Sequence, residues 1–223
     1  MSTPSTSPRA LSRAKVVSTA IELADRLGLE ATSMRRIAEE LGVTPMALYT
    51  HIGNREELID AMVDTVIEQI GQAATDLTWK DQLRSQILVA RRVILNHTWT
   101  TAAIESRTLA SPTVLAYMDS LMGILRSGGL SFDLVHNAMH ALSTRMWGFT
   151  REVFPTPQLP ADPDQRATAL QGFASEYPNI VGMTGAIEGS GGSCDSDAEF
   201  RFALDLLLDG IEQRHAHGWT SDI

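Results

Sequence analysis

Two histidines, His136 and His140, stand four residues apart, the spacing that places two imidazoles on one helix face and lets them share a metal ion. A metal-dependent hydrolase built on His136 and His140 would also need a carboxylate and a third ligand, and no Glu accompanies the pair as in an H-E-x-x-H arrangement. The pair is therefore read as ordinary helix-face residues, with the hydrolase kept as an alternative. Cys194 sits in the Gly/Ser-rich stretch GMTGAIEGSGGSCDSD with nothing beside it in sequence to lower its pKa, and is read as an inert thiol. No nucleophile elbow, phosphate loop or acid pair is present. Neither an enzyme nor a cofactor is implied.

The densest set of groups able to make directed hydrogen bonds lies in Thr32–Arg55, TSMRRIAEELGVTPMALYTHIGNR. Two short helices joined by a tight, Gly-containing turn are expected there, the arrangement of a DNA-binding helix-turn-helix. Ile37, Ala38, Leu41, Val43 and Leu48 form the inner face. Thr44, Pro45, Met46, Ala47 and Tyr49 form the outer face of the second helix, where Thr44 suits a base edge or phosphate and Met46 and Ala47 suit thymine methyl groups. Arg35 is the candidate for a bidentate guanine contact, with Ser33 and Arg36 beside it. Tyr49, His51 and Arg55 are candidates for phosphate, Arg55 together with free N–H groups at the next helix start. Arg9, Arg13 and Lys15 are candidates for the flanking backbone or minor groove.

The elements that must position these groups are helices throughout. Val16, Val17, Ala20, Ile21, Ala24 and Leu27 recur at helical spacing and Gly28 stops that helix. A second spans about Ser33 to Leu41. Thr44-Pro45 opens a third, as cap and first-turn proline, which ends near His51. Asn54 with Glu57 makes a capping-box-like start for a long fourth, striped by Leu58, Met62, Val66 and Ile70 with Ile59, Val63 and Ile67 alongside. Further helices are expected over 79–96, 101–108, 111–128 (inner stripe Val114, Met118, Leu121, Met122, Leu125), 131–153, 164–175 and 197–215. The fold class is all-α, with a flexible tail over 1–10, a helix-turn-helix domain over 11–55 and a ligand-binding and dimerisation domain over 56–223. The stretch 182–197 reads as a mobile loop.

The bulk numbers restrain this reading. The 223 residues carry a net charge of −9, whereas nucleic-acid binders usually show a basic footprint. Residues 1–60 hold seven Lys and Arg against eight Asp and Glu, and the remainder eleven against nineteen, so the acidity lies mostly beyond residue 60. The fold must then sort the N-terminal cations onto one side, and binding should be salt-sensitive. With a single cysteine, no membrane-length apolar run and a Ser/Thr/Pro-rich start unlike a signal peptide, the expected location is the cytoplasm.

Arg35-Arg36-Ile37-Ala38, Leu41-Gly42-Val43, Leu48-Tyr49-x-His51 and Asn54-Arg55-x-x-Leu58 resemble the DNA-binding domain of TetR-family repressors over about Ser12 to Leu58, with Arg55 where the family usually has Lys. The resemblance implies a homodimer, a palindromic double-stranded DNA operator, and repression relieved by a small-molecule effector. Phe202–Ile211 looks like the last helix of the tetracycline-repressor type of C-terminal domain, which implies that this helix and the long one before the loop form a four-helix dimer bundle. Tetracycline binders place a His at the end of the fourth helix; Ile70-Gly71-Gln72 stands here, so a magnesium–tetracycline ligand is not implied.

Met and aromatic residues concentrate in the second domain, and adaptable Met side chains suit apolar pockets between helices. His97, Met118, Met122, Met139, Trp147 and Phe173 are the candidates for an apolar effector. A dimeric helical adaptor that no longer touches DNA is the alternative that the negative charge motivates.

Overall fold

The computed structural model describes residues 11–107, 109–148, 161–179 and 196–221, with backbone alone at 144–148, 170 and 196. Helix α1 spans Arg13–Leu27, α2 Met34–Leu41, α3 Pro45–Tyr49, α4 Arg55–Glu68, α5 Trp79–Asn96, α6 Trp99–Glu105, α7 Pro112–Ser127, α8 Phe132–Gly148, α9 Pro163–Glu176 and α10 Ser196–Ala216. No strand occurs among the described residues. The protein is all-α.

Helix starts follow local chemistry. The side chains of Ser12, Ser33, Asn54, Thr78 and Ser111 each accept a hydrogen bond from the N–H three residues on, satisfying a donor that the first turn leaves unpaired. The start of α4 departs from a capping box by one residue. Asn54 takes the Glu57 N–H, but the Glu57 carboxylate accepts from Gly53 N–H rather than from Asn54. At the end of α2, Gly42 adopts a left-handed conformation (φ 66°, ψ 31°). Its N–H reaches Glu39 O at 3.2 Å while Val43 N–H reaches Ala38 O at 3.0 Å, a Schellman ending that turns the chain sharply into α3.

Two compact units are present, Met1–Met139 with Glu212–Ile223, and His140–Ile211. In the first, one hydrophobic cluster runs from α1 through α4 and includes Ala90, Trp99 and Ala103. Helix α1 contacts α2 and α4, α2 contacts α3, and α4 contacts α5, α6 and α7. The α4 stripe is buried as expected, Ile70 included. Leu27 is not: it is half exposed, and Leu23 fills the core instead. Leu27 is the last helical residue, and no further turn stands beside it. On α7 the buried residues are Leu121, Ile124 and Leu125, while Val114, Met118 and Met122 are only half buried. Helix α6 starts two residues earlier than expected, at Trp99, whose ring joins the core. In the second unit, Leu142, Phe200, Leu204, Leu208 and Ile211 are buried. The α10 residues among them recur at helical spacing, and Phe202 and Leu206 lie on its exposed side.

Candidate nucleic-acid interface

Helix α3 is anchored by one side chain. Leu48 is 0% exposed, and Ile52 just beyond the helix is buried with it, its N–H bonded to Leu48 O at 3.0 Å. With Leu48 inward, Thr44, Pro45, Met46 and Tyr49 are exposed, Met46 to 73%, and Ala47 and His51 are half buried. Thr44 occupies the N-cap position of α3 but its hydroxyl makes no capping hydrogen bond. That departs from the expected cap and leaves the hydroxyl available to a ligand. The exposed Met46 side chain therefore contributes little burial to the fold.

Three arginines of α1 and α2, Arg35, Arg26 and Arg13, are paired with glutamates. Arg35 lies on the exposed side of α2, its side chain 85% exposed, with Nε 2.9 Å from Glu39 one turn on. Arg26 pairs with Glu40 at 3.1 Å. Arg13 at the start of α1 pairs with Glu57 and donates to His51 O at 3.4 Å, joining α1, the end of α3 and the start of α4. The Arg13 guanidinium and the Gly53 N–H hold the Glu57 carboxyl below the usual carboxylate range. Such exposed pairs contribute little to stability and are screened by salt.

Other candidate groups are engaged within the protein. The Ser33 hydroxyl is engaged as the α2 cap, accepting from Arg36 N–H. Arg36 donates to Ala31 O at 3.3 Å and Arg55 to Leu29 O at 3.5 Å, so both guanidinium groups lie over the α1–α2 loop. Of the donors expected to hold phosphate with Arg55, the Glu57 N–H is spent on Asn54 and the neighbouring Gly53 N–H on Glu57. Arg13, a candidate for flanking DNA, is paired with Glu57, 44 residues away. Arg9 lies outside the described residues, and Lys15 is exposed.

The candidates for effector contact divide between the two units. Met118 and Met122 are half buried on α7 and Met139 is buried on α8, all in the first. Phe173, half buried on α9 in the second, packs its ring 5.0 Å from that of Tyr177. The Trp147 side chain lies outside the described residues. His97 faces the helix-turn-helix: its Nδ1 lies 2.9 and 3.0 Å from the two Asp25 carboxylate oxygens on α1. Sequence reasoning also missed two buried hydroxyls, Thr100 Oγ1 and Tyr117 Oη, which have no hydrogen-bond partner among the described residues; burial pushes the Tyr117 phenol well up. His136 and His140 are exposed. Among the described residues no group of three or more His, Cys, Asp and Glu could hold a metal ion, and Cys194 lies outside them. No helix among the described residues is long and apolar enough to cross a membrane.

Residues 16–62 match the family of bacterial regulatory proteins of the tetR type, and residues 73–215 match the tetracyclin repressor-like C-terminal domain. The chain belongs to the TetR family. This TetR-family protein is 32% identical over 204 residues to an HTH-type transcriptional regulator of Saccharopolyspora erythraea, covering 90% of the chain and 84% of that relative. ActR of Streptomyces coelicolor, solved in complex with actinorhodin, superposes with a TM-score of 0.71 at 29% identity, over 94% of this chain and 99% of that one. BioQ of Mycobacterium smegmatis, solved with its double-stranded DNA operator, superposes with a TM-score of 0.62 at 25% identity, over 92% and 99%. The protein is thus a transcriptional regulator and not an enzyme.

Proposed function

We propose that this regulator is a homodimeric repressor that holds a palindromic operator through α3 and releases it on binding a small, largely apolar effector. The observation that carries the DNA reading is α3 itself. Leu48 alone is fully buried, while Thr44, Pro45, Met46 and Tyr49 stand free of the fold. In this reading Arg35 meets a guanine edge, with Ser33 and Arg36 beside it on the same helix. Met46 and Ala47 meet thymine methyls, and Tyr49, His51 and Arg55 meet phosphates. Binding exchanges the Glu39 and Glu57 partners of Arg35 and Arg13 for DNA, so an acidic chain can bind without a net basic domain.

The dimer reading rests on α10, where Phe202 is 67% and Leu206 57% exposed one turn apart. A second copy is the occupant that fits, since an isologous contact buries the same apolar pair twice. The effector reading rests on the C-terminal family match and on the half-buried Met118 and Met122. The unpartnered Thr100 and Tyr117 hydroxyls favour an apolar skeleton that carries hydrogen-bonding groups.

Selection of bound duplexes from a random pool by the full-length protein tests the proposal. The expected product is a palindrome, and Arg35→Ala weakens its binding in a gel shift. Recovery of no preferred sequence, with Arg35→Ala and Arg55→Ala indistinguishable from wild type, would favour the adaptor reading that the net charge of −9 suggests.

A further inference from the structure

We infer that Asp25 is a positioning residue for operator binding, tying α1 to the junction of α5 and α6 through His97 and Trp99. The inference rests on the DNA-binding reading above. Asp25 lies on α1 and belongs to no apolar packing, yet its carboxylate collects three short contacts. His97 Nδ1 approaches both oxygens, at 2.9 and 3.0 Å, and Trp99 Nε1 donates to Oδ1 at 2.7 Å. The Trp99 ring is buried in the hydrophobic cluster, so Asp25 supplies the acceptor that a buried indole N–H requires. His97 is also well covered, with its side chain only 14% exposed.

The other end of the same segment is fastened to α4. Arg107, just past α6, donates to Asp60 at 2.6 Å, and the Ser111 hydroxyl, while capping α7, donates to Asp64. His97, Trp99, Arg107 and Ser111 are therefore clasped by carboxylates of α1 and α4, the two helices that flank α2 and α3. Helix α6 packs against α4 as well, so the α4 end is held by apolar contact and by polar bonds. Asp25 is the polar tie at the α1 end. It sets where the helix-turn-helix stands relative to α5–α7, and in a dimer that placement sets the separation of the two α3 helices. Operator spacing is a geometric property of that separation.

The test uses the full chain and its selected operator, with half-site spacing varied one base pair at a time. Wild type should show a sharp optimum. Asp25→Ala should lose about tenfold of the discrimination between the best spacing and its neighbours, within the range typical of coupling between sites. Its affinity for a single half-site should be unchanged. His97→Gln, which keeps a donor for the carboxylate, should restore most of the discrimination lost in His97→Ala. Trp99→Phe deletes the N–H alone and should give an intermediate loss, which carries the test if Asp25→Ala does not fold. A wild type with a sharp optimum and a variant that ranks spacings identically, at equal or uniformly lower affinity, overturns the positioning role alone. A wild type that selects no DNA overturns the function reading and this inference with it.

Discussion

Leu48 and Met46 are two residues apart on the same short helix and should fail in opposite ways when cut to alanine. Leu48 is 0% exposed and packs in the cluster joining α1 to α4. Truncation removes buried methyl and methylene groups and leaves a cavity, at a cost of about 3 kcal/mol within the usual 2–5 kcal/mol range. For a chain of this size that corresponds to a melting temperature lowered by roughly 6–12 °C. Met46 is 73% exposed, so Met46→Ala should move stability by no more than about 0.5 kcal/mol. It should instead weaken operator binding by roughly 1 kcal/mol for each protomer, the apolar area that DNA would otherwise cover, or about 30-fold for a dimer. Thermal melts read by circular dichroism and gel shifts on the selected operator measure the two quantities. If Met46→Ala melts early, or binds the operator as wild type does while Leu48→Ala melts normally, the assigned faces of α3 are reversed and the interface reasoning is wrong.

Three further outcomes follow from the same geometry. Arg55→Ala should flatten the dependence of log affinity on log salt by about one unit per protomer, whereas Met46→Ala leaves the slope unchanged; equal slopes would remove Arg55 from the phosphate contacts. Phe202→Glu with Leu206→Glu should convert the protein to monomer in sedimentation equilibrium without unfolding α10, because both side chains are exposed in the single chain; an unchanged mass would place the dimer contact elsewhere. Glu57 has its ordinary value of 4.5 lowered in the folded state, so the Arg13–Glu57 contribution is complete above that pH and is lost as pH falls through the lower folded value. NMR titration should find the Glu57 midpoint below 4.5, and the stability difference between wild type and Glu57→Gln should shrink on acidification; a midpoint at or above 4.5 refutes the pairing.

The sequence by itself determined the helices and the outward set on α3, because those depend on short-range physics. A cap bonds three residues ahead, a glycine ends a helix through its own backbone, and apolar spacing marks a face. α5 was legible to its last residue, Trp79–Asn96, and the opposition of Leu48 to Thr44, Met46 and Tyr49 followed from helical spacing and the match to TetR-family motifs. Tertiary structure alone decided which charges meet. Asp25 lies 72 residues from His97 and Arg13 lies 44 from Glu57, so each pair exists only because helix packing brings remote chain segments together. The same holds for burial at helix ends and around the bundle. Leu23 rather than Leu27, and Ile124 rather than Met118, fill the core, since a helical stripe says which side turns inward but not how far along it a neighbouring helix extends.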